Sequence, residues 1–153
     1  MTSPEPFAMP TSGLQRPPIR TLVLDDDAAM VRLVKKILEK TFGDLIVVTG
    51  LVDGEQALGM AIANQVDLCI TDLDMPRING LMCLKSLKAS NPLTQVIILT
   101  AHPDENAIRS AFTMGADDYL MKPINTEALR QVVGYLIAKI IRVREDIFDA
   151  TMA

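Results

Sequence analysis

The segment LCITDLDMPRING, from Leu68 to Gly80, decides the fold of this chain. It begins with an uninterrupted apolar run, which is typical of a strand buried on both of its faces. The run ends at two carboxylates, Asp72 and Asp74, and a turn with Pro76 and Gly80 follows. A buried strand that leads directly into acidic residues indicates that a cationic group lies at the end of that strand.

Four further apolar runs have the composition of strands, and helical patterns separate them. The five predicted strands are TLVL (21–24), LIVVT (45–49), VDLCIT (66–71), QVIILT (95–100) and YLM (119–121). The first helical pattern consists of Met30, Leu33, Val34, Ile37, Leu38 and Phe42, and shorter patterns of the same kind lie between the later strands. This alternation predicts right-handed crossovers and an α/β fold, with a parallel sheet covered by helices on both faces.

Polar side chains follow four of the five predicted strands. They are Asp25, Asp26 and Asp27 after the first strand, Asp72 and Asp74 after the third, Thr100 after the fourth and Lys122 after the fifth. Because open parallel sheets bind ligands beyond the carboxyl ends of their strands, we expect these side chains to form one site.

The carboxylates at this edge need a cationic partner, since two of them about 4 Å apart repel by about 4 kcal/mol at an effective dielectric constant of about 20. Lys122 supplies one positive charge. Several oxygens at a partly hydrated edge also suit Mg²⁺, which binds carboxylates and carbonyls and keeps several waters. A carboxylate beside a metal ion, a lysine and a hydroxyl can accept a phosphoryl group, so the pattern favours phosphoryl transfer.

Four segments together resemble the receiver domain of two-component response regulators in their order and spacing. They are LVLDDDAAM, LCITDLDMPRINGLMCLKSL, VIILTAH and GADDYLMKPIN. The resemblance extends from about Ile19 to about Ile141. It implies a flavodoxin-like, doubly wound (βα)5 three-layer sandwich with a parallel five-stranded sheet of order 2-1-3-4-5, here with an extended C-terminal helix.

The resemblance also implies roles for the acidic residues. Asp72 is the expected phosphoacceptor, and it is expected to share the Mg²⁺ ion with Asp25 and Asp26. Asp26 is expected to bind the ion directly and Asp25 through water, and the main-chain carbonyl of Asp74 is another expected ligand. The alternative is that these acidic residues have only structural roles. Asp25 to Asp27 would then cap a helix, with Asp27 as the foremost candidate, and Asp72 and Asp74 would be turn residues.

Further roles are implied for residues that follow the fourth and fifth strands. Lys122 is expected to bridge to the acyl phosphate, and Thr100 to donate a hydrogen bond to a phosphoryl oxygen. Tyr119 matches the aromatic switch position, although an aromatic residue there is also a common core residue. His102 lies near the predicted site and either influences the lifetime of the phosphoryl group or is an ordinary loop residue. The Lys122–Pro123 peptide is expected to be cis.

The two ends of the chain depart from the plain receiver pattern. Residues 1–18 hold five of the nine prolines and are predicted to be a disordered tail, 19–141 to be the receiver domain and 142–153 a C-terminal helical extension. The last helical pattern, Leu129, Val133, Leu136, Ile140, Val143 and Ile147, forms a heptad seam. We expect its end either to pair with a second copy in a homodimer or to lead to an output domain, so the chain is interpreted as a stand-alone regulator or as part of a longer one.

Composition excludes several other classes of protein. A net charge of −4 gives no basic surface for nucleic acid, so direct DNA or RNA binding is not expected. No apolar stretch approaches the roughly 20 residues of a membrane span, and the first residues do not have the pattern of a secretory signal. Cys69 and Cys83 lie in apolar segments without metal-ligand spacing, which favours reduced thiols and a cytoplasmic location.

The sequence therefore predicts a signalling phosphoacceptor that takes a phosphoryl group from a histidine kinase or a histidine phosphotransfer protein. We expect no enzymatic activity beyond catalysis of its own phosphorylation and dephosphorylation. One alternative is a haloacid dehalogenase-type phosphatase that uses Asp72 and Asp74, because ITDLDM fits a strand followed by D-x-D. That motif normally follows the first strand, whereas here it follows the third. A second alternative is a receiver-like adaptor that is never phosphorylated.

Overall fold

Strands and helices alternate along the whole described part of the chain. The computed structural model describes residues 16–102 and 104–152. The elements are β1 (Ile19–Leu24), α1 (Ala28–Phe42), a 3₁₀ turn (Gly43–Leu45), β2 (Ile46–Leu51), α2 (Gly54–Asn64), β3 (Leu68–Asp72), α3 (Gly80–Ser90), β4 (Gln95–Thr100), α4 (Glu105–Thr113), β5 (Asp118–Met121) and α5 (Thr126–Met152). All five strands pair in parallel in the order β2-β1-β3-β4-β5, which confirms the predicted fold and strand order.

A separate hydrophobic core covers each face of the sheet. On one face, Leu68 and Ile70 of β3 pack with buried side chains of α1 and α5. On the other face, Cys69 of the same strand packs with buried side chains of α2, α3 and α4. Because successive side chains of a strand point to opposite faces, a strand between two cores must be apolar at every position. This arrangement explains the apolar run from Leu68 to Ile70, which Thr71 separates from Asp72.

Each of the five α-helices in the described part of the chain begins at an Asp or Asn side chain that accepts a hydrogen bond from a backbone N–H of the first turn. The five residues are Asp27, Asp53, Asn79, Asp104 and Asn125. Such caps each stabilise a helix by about 1 kcal/mol. Asp27 is therefore the cap of α1, as predicted, which leaves the carboxylates of Asp25 and Asp26 outside that role.

The buried face of α1 is rotated relative to the predicted pattern. Val31, Val34, Leu38 and Phe42 are the buried residues of α1. Leu33, which the pattern placed on the inner face, is 46% exposed. The helix carries apolar residues over a wide arc of its surface. The pattern therefore predicts which side of the helix is buried, but not which residues form the margin of that side.

Helix α5 is continuous across the predicted boundary at residues 141 and 142. It runs without interruption from Thr126 to Met152 and spans about 40 Å at 1.5 Å per residue. Residues 16–18 precede β1 without regular secondary structure, and the rest of the predicted disordered tail lies outside the described residues. Within the described ranges, no helix has both the length and the apolar composition that a membrane span requires.

Candidate functional site

The carboxyl ends of the strands bring the predicted acidic and basic side chains together. In the sheet register Leu24 lies beside Thr71, so Asp25, just after β1, and Asp72, the last residue of β3, lie at the same level of neighbouring strands. On the other side of β3, the main-chain N–H of Lys122 donates to the carbonyl of Thr100 at 2.8 Å. Thus the ends of β1, β3, β4 and β5 all lie at one edge of the sheet.

Lys122 joins the two buried carboxylates of this edge. Its Nζ lies 2.7 Å from Asp25 Oδ2 and 3.2 Å from Asp72 Oδ2. Asp25 is fully buried and Asp72 is 5% exposed, so water screens neither carboxylate well. Removing the ammonium from this position would leave two negative charges together in a poorly hydrated environment.

Backbone amides hold the remaining oxygens of the two carboxylates. The N–H of Asp27 donates to Asp25 Oδ1 at 2.9 Å, and the N–H of Asp74 donates to Asp72 Oδ1 at 3.2 Å. Both bonds bridge two positions along the chain, the spacing at which an Asp side chain closes a turn on its own backbone. The carboxylates are therefore oriented by the turns that immediately follow β1 and β3.

Ionisation of Asp72 is disfavoured by its surroundings. Burial raises the pKa of the Asp72 carboxyl above its ordinary value of 3.8. The hydrogen bond from the Asp74 N–H lowers this pKa but does not outweigh burial. The negative charge of Asp25 raises the pKa further, and Lys122 opposes this effect. For Lys122, burial alone would lower the pKa, but the contacts with Asp25 and Asp72 outweigh burial and raise it. The lysine therefore remains charged over the whole physiological pH range.

The site has the donor set of a hard divalent cation. Asp25, Asp26 and Asp72 each offer a carboxylate oxygen, and these oxygens lie within 4.8 Å of one another. Asp25 Oδ2 accepts no hydrogen bond of regular geometry from the described residues, although the Lys122 ammonium is 2.7 Å away. We interpret that contact as an ion pair that leaves a lone pair of the oxygen unused. Oxygen-only ligands, one of them on the exposed Asp26, fit Mg²⁺ and its retained waters.

The turn after β3 packs very closely against the end of that strand. The N–H of Gly80 donates to the carbonyl of Leu73 at 3.0 Å. A Cβ atom at Gly80 would lie 2.4 Å from the carbonyl oxygen of Asp72 and 2.8 Å from Leu73 Cα. Only glycine fits this contact. The sequence predicted Gly80 as a turn residue but did not indicate the close approach. Asp74 is exposed at the same turn, and its carbonyl remains a predicted ligand.

Thr100 is fully buried, and its hydroxyl is engaged by the loop that follows β4. Its Oγ1 donates to the carbonyl of His102 and accepts the N–H of His102, both at 3.1 Å. The His102 residue itself is exposed. The single hydroxyl proton of Thr100 is thus already used inside the loop, and any other acceptor must compete for it.

Tyr119 is half-buried and lies against α4. Its ring packs edge-on to Phe112, with 5.9 Å between the ring centroids. The residue belongs to the periphery of the core that α2, α3 and α4 form with the sheet. The ring of Tyr119, a residue of β5, therefore packs against α4. This position is compatible with the predicted core role and with the predicted switch role. The Lys122–Pro123 peptide is cis, as the resemblance implied.

The fold and the site define a doubly wound α/β protein with an acidic, lysine-bridged cluster at the carboxyl edge of its sheet. The family model of the response regulator receiver domain matches residues 21–134. The chain belongs to the response regulator receiver family.

Curated relatives and solved structures agree with this assignment. The chain is 39% identical over 110 residues to the transcriptional regulatory protein CpxR of Escherichia coli (strain K12), covering 72% of this chain and 45% of the relative. It is 35% identical over 106 residues to the DNA-binding transcriptional regulator NtrC of Salmonella typhimurium, covering 69% and 22%. The chain thus spans less than half the length of each of these relatives. The structure of the BeF3-activated DrrB receiver domain matches with a TM-score of 0.72 and 28% identity, over 79% of this chain and 98% of that one.

Proposed function

We propose that this chain is a phospho-accepting receiver domain in which Asp72 takes a phosphoryl group from a histidine kinase or a histidine phosphotransfer protein. The observation that carries the proposal is the contact of Lys122 with both Asp25 and Asp72. This contact places one cation beside the carboxylate of β3 and beside the acidic cluster of β1. Membership of the receiver family supports the choice of phosphodonor.

In the proposed reaction, a carboxylate oxygen of Asp72 attacks phosphorus. An O–P bond forms, the P–N bond of the donor phosphohistidine breaks, and its electron pair returns to the imidazole. The product is an acyl phosphate on Asp72. The N–H of Asp74 orients the carboxylate, and Lys122 stabilises negative charge on the transferring group.

We assign Mg²⁺ as the resident ion of this site. Asp25, Asp26 and Asp72 would hold it, with the Asp74 carbonyl as a further ligand. The ion would neutralise charge on the phosphoryl oxygens during transfer. The unused lone pair of Asp25 Oδ2 and the clustering of three carboxylates support this assignment.

The proposed output begins at Thr100. A phosphoryl oxygen on Asp72 would compete with the His102 carbonyl for the Thr100 hydroxyl proton. Release of that carbonyl would change the loop before α4, and with it the packing of Phe112 on Tyr119. The altered surface, about residues 105–145, would then act on a partner, on a second copy in a homodimer through the α5 region, or on an output domain.

The remaining parts of the proposal concern what the chain does not do and where it acts. We propose that it catalyses only its own phosphorylation and dephosphorylation, and that with a net charge of −4 it does not bind nucleic acid directly. Cys69 and Cys83 are free and buried. Unpaired thiols support a reducing compartment, and we therefore propose a cytoplasmic location.

Phosphorylation of the purified chain with acetyl phosphate and Mg²⁺, followed by intact mass spectrometry, tests the proposal. Wild-type protein should gain one phosphoryl group, and Asp72→Asn should gain none. Asp53→Asn is a matched control, because it removes a carboxylate from an exposed helix cap where Asn also caps well. Labelling of Asp72→Asn at the wild-type level would show that Asp72 is not the phosphoacceptor. Steady turnover of phosphomonoesters would instead support the phosphatase alternative.

A further inference from the structure

The last turns of α5 lose most of their hydrophobic contacts with the rest of the domain. Ile140 is 7% exposed, whereas Ile147 is 50% exposed and Phe148 52% exposed. Ile141 still packs against the core and Val143 is half-buried. After Val143, apolar burial contributes little to holding the helix, because the stabilisation scales with the apolar area removed from water. Other contacts must determine where these last turns lie.

Arg144 provides the strongest of these contacts. Its Nη2 lies 2.7 Å from Asp67 Oδ2, and its Nη1 donates to the carbonyl of Pro17 at 3.0 Å. The same Asp67 oxygen accepts the N–H of Arg20 at 2.9 Å. The side chains of Arg144 and Asp67 are 28% and 22% exposed, so the pair is better shielded than an ordinary surface ion pair.

Asp67 connects three elements through one carboxylate. It immediately precedes β3, it caps an N–H of β1, and it binds the guanidinium of α5. Two weaker contacts lie at the same edge of the sheet. Arg16 pairs with Glu145 at 2.7 Å, and Lys139 Nζ lies 4.0 Å from Asp117 Oδ1, just before β5. The last turns of α5 are thus attached to the entrances of β1 and β3, and Lys139, about one turn earlier, lies near the entrance of β5.

We propose that Asp67 and Arg144 form a latch that holds the turns of α5 after Val143 against the amino-terminal edge of the sheet, as an arm that detaches without unfolding of the domain. A partly exposed ion pair is strong enough to favour one position of a helix and weak enough to open locally. The latch lies at the opposite end of β3 from Asp72. Its test therefore does not depend on phosphorylation, and it stands or falls separately from the proposed function.

Hydrogen exchange of the full chain, measured by mass spectrometry at peptide resolution, tests the latch. Arg144→Gln and Asp67→Asn should each speed amide exchange in residues 143–150 by about three- to tenfold. Asn at position 67 retains an oxygen that can accept the Arg20 N–H, so this variant removes mainly the charge. Exchange in β3 (Leu68–Asp72) should stay at the wild-type rate. The double variant should exchange no faster than the faster single variant, because both changes open the same contact.

Arg142→Gln is the matched control, since it removes the same charge from an exposed position of the same helix. Its exchange in residues 143–150 should remain within about twofold of wild type. Unchanged exchange of Arg144→Gln, or equal acceleration in Arg142→Gln, would overturn the latch. Acceleration that extends equally into β3 would overturn it as well, because the pair would then support the whole fold rather than a local arm.

Discussion

Lys122 Nζ lies 2.7 Å from the fully buried carboxylate of Asp25, and this short contact joins the end of β5 to the end of β1 across β4 and β3, the strand that carries Asp72. The lysine compensates carboxylates that would otherwise be destabilising in a poorly hydrated site. It is therefore a structural residue of the metal-free domain as well as a proposed participant in phosphoryl transfer.

Lys122→Met should lower the free energy of unfolding of the metal-free chain by about 2 kcal/mol, because Asp25 and Asp72 lose their counter-charge. Urea denaturation in the presence of a chelator measures this change. Lys36→Met, on the exposed side of α1, should cost less than about 0.5 kcal/mol. Equal costs for the two variants would show that the contact with Asp25 does not stabilise the fold.

Asp72→Asn should raise the stability of the metal-free chain by about 1 kcal/mol, because it removes a buried negative charge close to Asp25. It should also abolish most of the stabilisation that Mg²⁺ gives to wild type. Thermal unfolding with Mg²⁺ and with a chelator measures both effects. A variant that is less stable than wild type without metal would contradict the electrostatic argument.

The stability difference between wild type and Asp72→Asn should depend on pH in a defined direction. The folded-state pKa of Asp72 is raised, so between its ordinary value of 3.8 and the folded pKa the native state binds more protons than the unfolded state. In that window, the stability of metal-free wild type relative to the variant should fall as pH rises. Unfolding curves of both proteins from pH 4 upward test the sign, and a rising difference would refute it.

Gly80→Ala should destabilise the domain by about 2 kcal/mol and slow phosphorylation of Asp72. The new Cβ would meet the Asp72 carbonyl oxygen at 2.4 Å, so the backbone beside the proposed phosphoacceptor must shift. Denaturant unfolding and the rate of labelling by acetyl phosphate measure the two effects. Gly59→Ala is the control, because its Cβ meets nothing within 4 Å, and it should stabilise α2 by up to about 1 kcal/mol.

Thr100→Val should separate phosphorylation from the conformational response. The variant keeps the shape of the buried side chain but cannot donate to a phosphoryl oxygen. It also lacks both hydrogen bonds to His102, so the loop is already released before phosphorylation and has less left to change. We expect Asp72 to be labelled while exchange of α4 amides changes less than half as much as in wild type. Hydrogen exchange with and without beryllofluoride measures this response. Thr113→Val, at an exposed position of α4, is the control, and its α4 exchange should change as much as in wild type. A change of wild-type size in Thr100→Val would contradict the proposed output route.

The sequence was sufficient to predict the sheet and the side chains at its carboxyl edge. A strand that lies between two cores appears in the sequence as a continuous apolar run. The end of such a run marks where the polar side chains of the sheet edge begin. Gly80 was predicted only as part of a turn, because its distance from the Asp72 carbonyl depends on how α3 packs. The buried face of α1 was imprecise for the same reason: Val31 and Leu33 have similar side chains, and only the packed neighbours distinguish them.

The contact of Asp67 with Arg144 could not be predicted from the sequence. The two residues are 77 positions apart, and each resembles an ordinary surface charge in its local context. Pairing of such residues depends on the direction in which α5 leaves the sheet. The heptad seam predicted a long helix, and α5 is long. The same seam is compatible with packing of the helix end on its own domain, with pairing of the helix with a second copy, and with a linker to another domain.

Strand β3 separates two groups of charged residues by its whole length. Asp72 ends the strand and Asp67 precedes it, which at about 3.3 Å per residue puts them roughly 17 Å apart. Substitutions at that distance and without shared contacts have additive effects on stability. Changes that alter the lifetime of the proposed phosphorylated state can therefore accumulate in evolution without disturbing the placement of the terminal helix, and changes at the helix can accumulate without altering that lifetime.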